Sequence, residues 1–228
     1  DSAAVAMAFL ERQERHFRTL GLDRALAHCL AEQAAIALSE HDQTLARDRV
    51  AKLQVLADKH RESPGFQADI PAVAALARAR LMLATHYPSK ALEDLAILST
   101  YAKKFGRGQL LVTGQLLEAC AKADLLQPEQ AQGHLLEALA LGRRLGLVRT
   151  FIDEGEVLRK LLGSLSNATL ASDDQAYLGR LLERFGPGTV GRSSESSANG
   201  PASMLTPREL AILELISQAM ANKRVALT

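Results

Sequence analysis

The chain has 228 residues, 27 basic against 26 acidic, and is 47% hydrophobic with only 4% aromatic side chains and no tryptophan. That length allows one large domain with a small appendage, and a net charge of +1 excludes a surface that is basic throughout, so any contact with nucleic acid must be local. No run approaches the roughly 18 uncharged apolar residues that a membrane-spanning helix needs, and Leu and Ala dominate over β-branched residues, which favours helices over strands.

In chain order, helical periodicity runs through 22–38, 42–60, 71–86, 89–105, 109–126 and 128–145. In the first of these, Leu22, Leu26, Cys29, Leu30 and Ala37 share one stripe. Pro64-Gly65 and Pro71 divide two segments, and Pro88 and Pro128 stand where helices begin. Proline suits the first helical turn because its missing N–H would have found no partner there.

The stretch 88–106, "PSKALEDLAILSTYAKKFG", returns 40 residues later as 128–146, "PEQAQGHLLEALALGRRLG". Pro88 meets Pro128, Ala91 meets Ala131, Leu95 meets Leu135, and Lys103-Lys104 meets Arg143-Arg144 before Gly106 meets Gly146. Cations near a helix C-terminus complement its dipole, and glycine supplies the left-handed residue that ends the helix. The stretch 42–60 is a looser third copy ending Asp58-Lys59-His60. A two-helix repeat of this length points to a tetratricopeptide-like (TPR-like) α-solenoid, in which one hairpin cannot bury its own apolar face and neighbours must stack. The expected hairpins are 22–60, 71–106 and 107–146, joined by short loops. A generic helical bundle is the plainer alternative.

Beyond Gly146, Asp153 and Glu156 have the spacing of a helix cap and its reciprocal partner, and Leu158, Leu161, Leu162 and Leu165 continue as a stripe. Ser172 and Gln175 repeat the capping pattern before "AYLGRLLERF". Residues 187–203, "PGTVGRSSESSANGPAS", have the composition of a flexible linker. The two cysteines, Cys29 and Cys120, sit far apart in apolar helical patterns, which predicts buried thiols in a reducing compartment.

Catalytic signatures are missing. There is no phosphate-binding GxxxxGK[ST], no GxGxxG after a strand, no HExxH among the six histidines and no GxSxG elbow. No catalytic residue, metal ligand or cofactor site is assigned, and the chain is not expected to be an enzyme. The acidic group at 153–156 and the cations at 143–144 read as helix-end residues.

The closing stretch is more specific. Thr206 is a good N-cap, Pro207 fits the first turn, Glu209 lies three residues beyond the cap, and Leu210, Leu213 and Ile216 form a stripe. "LTPRELAILELISQAMANKRVA" resembles the start of a LuxR-type helix-turn-helix domain through Leu205, Thr206, Arg208, Glu209, Ile212, Leu213, Leu215, Ile216, Asn222, Lys223, Val225 and Ala226. Ala219 stands where glycine is usual in that family, and Ala221 where serine or threonine is usual. The resemblance implies that Lys223 touches a DNA phosphate, that Asn222 caps the scaffold helix, and that Arg208 and Arg224 add local positive charge.

A helical array, "RTFIDEGE", a linker and this motif together resemble the large MalT-like regulators of the LuxR family. The expected organisation is a TPR-like sensor or interaction region at 1–186, a linker at 187–203 and the N-terminal part of the DNA-binding domain at 204–228, its recognition helix lying beyond the chain. The resemblance implies a cytoplasmic bacterial transcription regulator that binds a small-molecule inducer or a regulatory protein, with ATP used only in an upstream domain and DNA bound by the complete motif. Homo-oligomerisation is left open, and no membrane partner is expected. The alternative is a TPR-like protein-interaction scaffold without small-molecule sensing. Because base readout belongs to the second helix of such a motif, a mobility-shift assay at physiological salt is expected to show no operator-selective binding by this chain, only salt-sensitive phosphate attraction.

In TPR-like arrays the first helix of each hairpin lines the binding face, here 71–86 and 109–126. Leu76, Leu116 and Leu117 belong to the packing stripe, so polar positions offset from it are the candidates. The 40-residue register pairs Arg78 with Glu118, and Gln115 and Lys122 lie about a turn to either side of Glu118. Arg78, Gln115, Glu118 and Lys122 are therefore expected to face a common groove and to contact the effector or partner. As exposed residues, they should cost no more than about 0.5 kcal/mol when changed.

Overall fold

The computed structural model describes residues 2–165 and 170–185, all within one compact unit. The stretch expected to be a linker, 187–203, and the one expected to begin a helix-turn-helix domain, 204–228, with Arg208, Asn222, Lys223 and Arg224, lie outside the described residues. Among those described there are helices and no strand. The order is α1 (Ser2–Thr19), α2 (Asp23–Ser39), α3 (Gln43–Lys59), a short 3-10 helix (Gly65–Asp69), α4 (Ile70–Ala84), α5 (Pro88–Lys104), α6 (Gly108–Asp124), α7 (Pro128–Leu145), α8 (Arg149–Ile152), α9 (Gly155–Ser164) and α10 (Ser172–Phe185). The fold is all-α, and α2/α3, α4/α5 and α6/α7 are the three expected hairpins.

The hairpins stack in two layers. The first helices α2, α4 and α6 lie side by side, and each second helix packs against its own first helix. It also packs against the first helix of the following hairpin, as α3 does on α4 and α5 on α6. Alanine spacing permits the close approach: Ala34, Ala79 and Ala119 on the first helices and Ala46, Ala91 and Ala131 on the second are all buried. One apolar cluster joins α1 to α4 around Leu30, Leu53 and Ile70, and a second joins α4, α5 and α6 around Leu95 and Leu98. A third joins α6 to α10 around Leu135, Leu139, Phe151 and Leu162.

Six connections share one hydrogen-bond pattern. After α1, the Gly21 N–H donates to the Arg18 carbonyl and the Leu22 N–H to that of Phe17; Gly106-Arg107 and Gly146-Leu147 repeat it after α5 and α7. This is the Schellman pair, which satisfies the last carbonyls of a helix around one left-handed residue. The φ angles at Gly21, Gly106 and Gly146 are 65°, 61° and 67°. Inside the hairpins the same pattern is built on His41, His86 and Leu126, with φ of 61°, 61° and 58°. The exit from α3 differs. His60 has φ −108°, and the chain runs through residues 61–69 before α4 begins.

Three expectations change. The sequence pattern did not single out α1 as a helix, yet it is one of 18 residues, tied to its neighbours by Met7 and Phe17. Asp153 does not cap α9. It ends α8 and accepts a bond from Arg149, while Glu154 precedes α9 without a side-chain cap and Glu156 pairs with Arg159. Ser172 is already helical, and the Gln175 N–H bonds to the Ala171 carbonyl. Both cysteines are free and buried, as expected. Burial pushes the Cys29 thiol up and drives that of Cys120 to about 12.

Candidate functional site

A groove of about 520 Å³ runs over α2 and α4 to the start of α6. Its floor is small and apolar, with Ala31, Ala35, Val73, Leu76 and Leu110. Its rim is charged. Arg24 and His28 of α2 both reach Asp69 Oδ2, at 2.7 and 3.3 Å, and Arg80 of α4 pairs with Glu154 ahead of α9. Arg107 stands at the start of α6. Asp69 Oδ1 is buried and accepts no hydrogen bond, so one carboxylate oxygen at this edge is left without a donor.

None of the four groove candidates lines this groove. Arg78 faces the other way, into the seam between layers, where Nε donates to Asp94 Oδ1 and Oδ2 at 2.8 and 2.9 Å and Nη1 to Gln54 of α3 at 2.5 Å. Gln115 and Glu118 turn toward α7. Gln115 donates to Glu137 at 2.7 Å and meets His134 Nδ1 at 2.8 Å, and Glu118 lies 3.1 Å from the same nitrogen. Lys122 donates to Gln127 at 3.2 Å. Arg78 and Glu118 do share a register, but that register points at the second helices.

The seam was visible in part. Asp94 and His134 interrupt the apolar stripes 91, 95, 98 and 131, 135, 138, and the register that pairs Arg78 with Glu118 pairs them too. The same seam continues toward the N-terminus as Gln33, which donates to Glu14 at 3.1 Å, with Arg49 bonded to Glu11 at 3.2 Å. Burial is the largest influence on Glu14 and pushes it up. Bonds from Arg18 and Gln33, with the Arg49 and Arg18 charges, outweigh burial and hold it low.

Glu118 goes the other way. Burial raises its carboxyl above the ordinary 4.5, only partly opposed by His134, Lys103 and Lys122. A raised acid binds its proton more tightly in the folded chain, so its contribution to stability is present below the ordinary value and is lost as pH rises through the folded one. Glu118→Gln is therefore expected to melt above the parent at pH 7, the gap closing as pH falls toward 4. Melting curves across that range check the sign.

Among the described residues no group of His, Cys, Asp or Glu is placed to hold a metal ion, and no helix is long and apolar enough to cross a membrane. No protein-family model matches the chain, and no solved structure matches it. Curated relatives do. The chain is similar to HTH-type transcriptional regulators. The HTH-type transcriptional regulator AlkS of Ectopseudomonas oleovorans is 29% identical over 130 residues, which is 55% of this chain and 14% of that protein. AlkS of Pseudomonas putida is 27% identical over 126 residues, with the same coverage of 55% and 14%. The matched stretch is thus a small part of the length of these relatives.

Proposed function

We propose that this chain is the effector-sensing region of a bacterial LuxR-family, MalT-like transcription regulator. A TPR-like array receives a small-molecule inducer or regulatory protein and governs DNA binding by a helix-turn-helix domain. The observation that carries this reading is the conjunction of the motif at 205–226 with relatives named as HTH-type transcriptional regulators. The groove supports it: a concave, mostly apolar surface with a few charged groups at its rim suits a ligand held by shape and a small number of polar contacts. In this reading Arg78, Gln115 and Glu118 hold the helices behind the groove rather than touch the effector. The region acts in the cytoplasm without catalysis, with ATP confined to an upstream domain.

The test is made in the full-length regulator. Ala35→Trp fills the groove floor and is expected to abolish inducer-dependent transcription while operator binding persists; a normal inducer response rejects the groove. A metabolite screen by thermal shift identifies the ligand, since saturation to a hundred times Kd adds about 2.7 kcal/mol of stability.

A second reading, a TPR-like scaffold for a protein partner, draws on one observation. The 61–69 stretch exposes Phe66, at 87%, and its neighbours Gly65 and Ala68 line a cleft of about 830 Å³ with Ile97 and Phe105. If Phe66→Ala abolishes the response and Ala35→Trp does not, the scaffold reading holds.

A further inference from the structure

We propose that Ser63 is a covalent acceptor, its hydroxyl activated by His60 to take an acyl group from an activated donor, a thioester or an aryl ester. The observation is a hydrogen-bonded chain of three side chains at the exit of α3. His60 is buried, with Nε2 2.7 Å from Asp23 Oδ2 at the start of α2 and Nδ1 3.0 Å from Ser63 Oγ. The inference is independent of the effector groove and of the scaffold reading.

The direction of these bonds follows from the charges. Bonds from Lys59 and His60 hold the Asp23 carboxyl below its ordinary value, so at neutral pH it is ionised and only accepts. His60 Nε2 therefore carries a proton. In the neutral ring Nδ1 then has the lone pair, and the Ser63 hydroxyl donates to it. This is the relation of nucleophile, base and orienting carboxylate that activates a hydroxyl, here with the two ring nitrogens in exchanged roles.

Two further features select the chemistry. Ser63 is half-buried and lines the cleft of about 830 Å³ together with Pro71, Ile97 and Phe105, an apolar wall that suits an acyl chain. The Ser63 N–H is bonded to the His60 carbonyl at 3.1 Å, and Pro64 has no N–H. The two backbone donors nearest the hydroxyl are thus closed to a carbonyl oxygen that gains charge, and one such donor is worth about 10²–10³ in rate. Only a good leaving group compensates, which excludes amides. The same lack slows hydrolysis of the acyl-serine, so the step is a single modification and not turnover. In it the bond from Oγ to the carbonyl carbon forms, the bond from that carbon to the leaving sulfur or oxygen breaks, and the Oγ proton passes to His60 Nδ1 and on to the leaving group.

The experiment treats the 228-residue chain with p-nitrophenyl hexanoate and locates the adducts by peptide mass spectrometry. A hexanoyl group is expected on Ser63, arriving about tenfold or more faster than on the exposed Ser89 of the same chain. His60→Gln should slow the Ser63 reaction by about a hundredfold. Asp23→Asn should slow it as well, because an amide permits the tautomer that places the proton on Nδ1, and Asp23→Glu should restore part of the rate. The comparison of Ser63 with Ser89 needs no variant, so it decides the matter where a substitution at buried His60 unfolds the chain. Ser63 reacting no faster than Ser89, a folded His60→Gln or Asp23→Asn chain reacting at the parent rate, or acylation confined to lysines overturns the proposal.

Discussion

Arg78→Ala is expected to lower stability by about 2–4 kcal/mol, a large part of the marginal total that a domain possesses. The cost does not come from Arg78 itself, whose side chain is 34% exposed, but from what it leaves behind. Asp94 is 6% exposed and receives both faces of the guanidinium fork, so losing the arginine strands a carboxylate between helices. Removing one partner of a buried pair costs about 3–5 kcal/mol, and water reaching the half-open arginine site trims that figure. The Gln54 carbonyl loses its donor at the same time, while its amide keeps Asp58 of the same helix, and α3 loosens from α4. The double variant Arg78→Leu with Asp94→Leu should recover most of the loss, since paired charges replaced by packed apolar groups are often neutral. Urea unfolding of the two variants reads both outcomes. A change within about 0.5 kcal/mol, the figure for an exposed position, would return Arg78 to the surface role its sequence suggested.

Phe151→Ala is expected to cost about 3–5 kcal/mol, the range for emptying a buried aromatic site. Phe151 is fully buried in the apolar cluster that joins α6 to α10, edge-on to Tyr177 with ring centroids 5.8 Å apart. It is also the main anchor of α8, a helix of four residues that could not persist alone. The space for its ring is made by Gly142, where an added Cβ would stand 2.6 and 2.7 Å from ring atoms and 3.1 Å from the Tyr177 hydroxyl. Gly142→Ala therefore sets about 1 kcal/mol of gained helix propensity against roughly 1–3 kcal/mol of overpacking. Combined with Phe151→Leu, the same alanine should become favourable. Additive effects in that pair would show that the glycine is not shaped by the ring.

The sequence made the hairpins legible because their signals are local. Pro88 and Pro128 begin helices, Gly106 and Gly146 end them, and the repeat shows that the two pieces are one unit. What a single chain hides is direction across the stack. Arg78 has the sequence neighbourhood of an exposed residue, and only Asp94, sixteen positions on and set in an apolar stripe, reveals the face it occupies. Helix α1 escaped notice for a related reason. Its apolar residues fall on both sides, because one side meets α2 and the other is open. Around 153–156 the capping pattern was real as a pattern, but the fold placed a four-residue helix there, and Asp153 closed that helix instead of opening the next.

The polar seam also bears on how a stack of near-copies avoids assembling in the wrong order. The carboxylate changes sides from one hairpin to the next: Asp94 of the second helix faces Arg78 of the first in one, and Glu118 of the first helix faces His134 of the second in the other. Exchanging partners would set Glu118 against Asp94, two carboxylates, and Arg78 against the His134 imidazole, which offers it no carboxylate. Misjoined charges of like sign inside a low-dielectric seam are strongly unfavourable. The apolar faces, alanine against alanine, would accept either arrangement. These polar pairs thus work as a keyed joint, letting each helix close only on the neighbour that follows it in the chain.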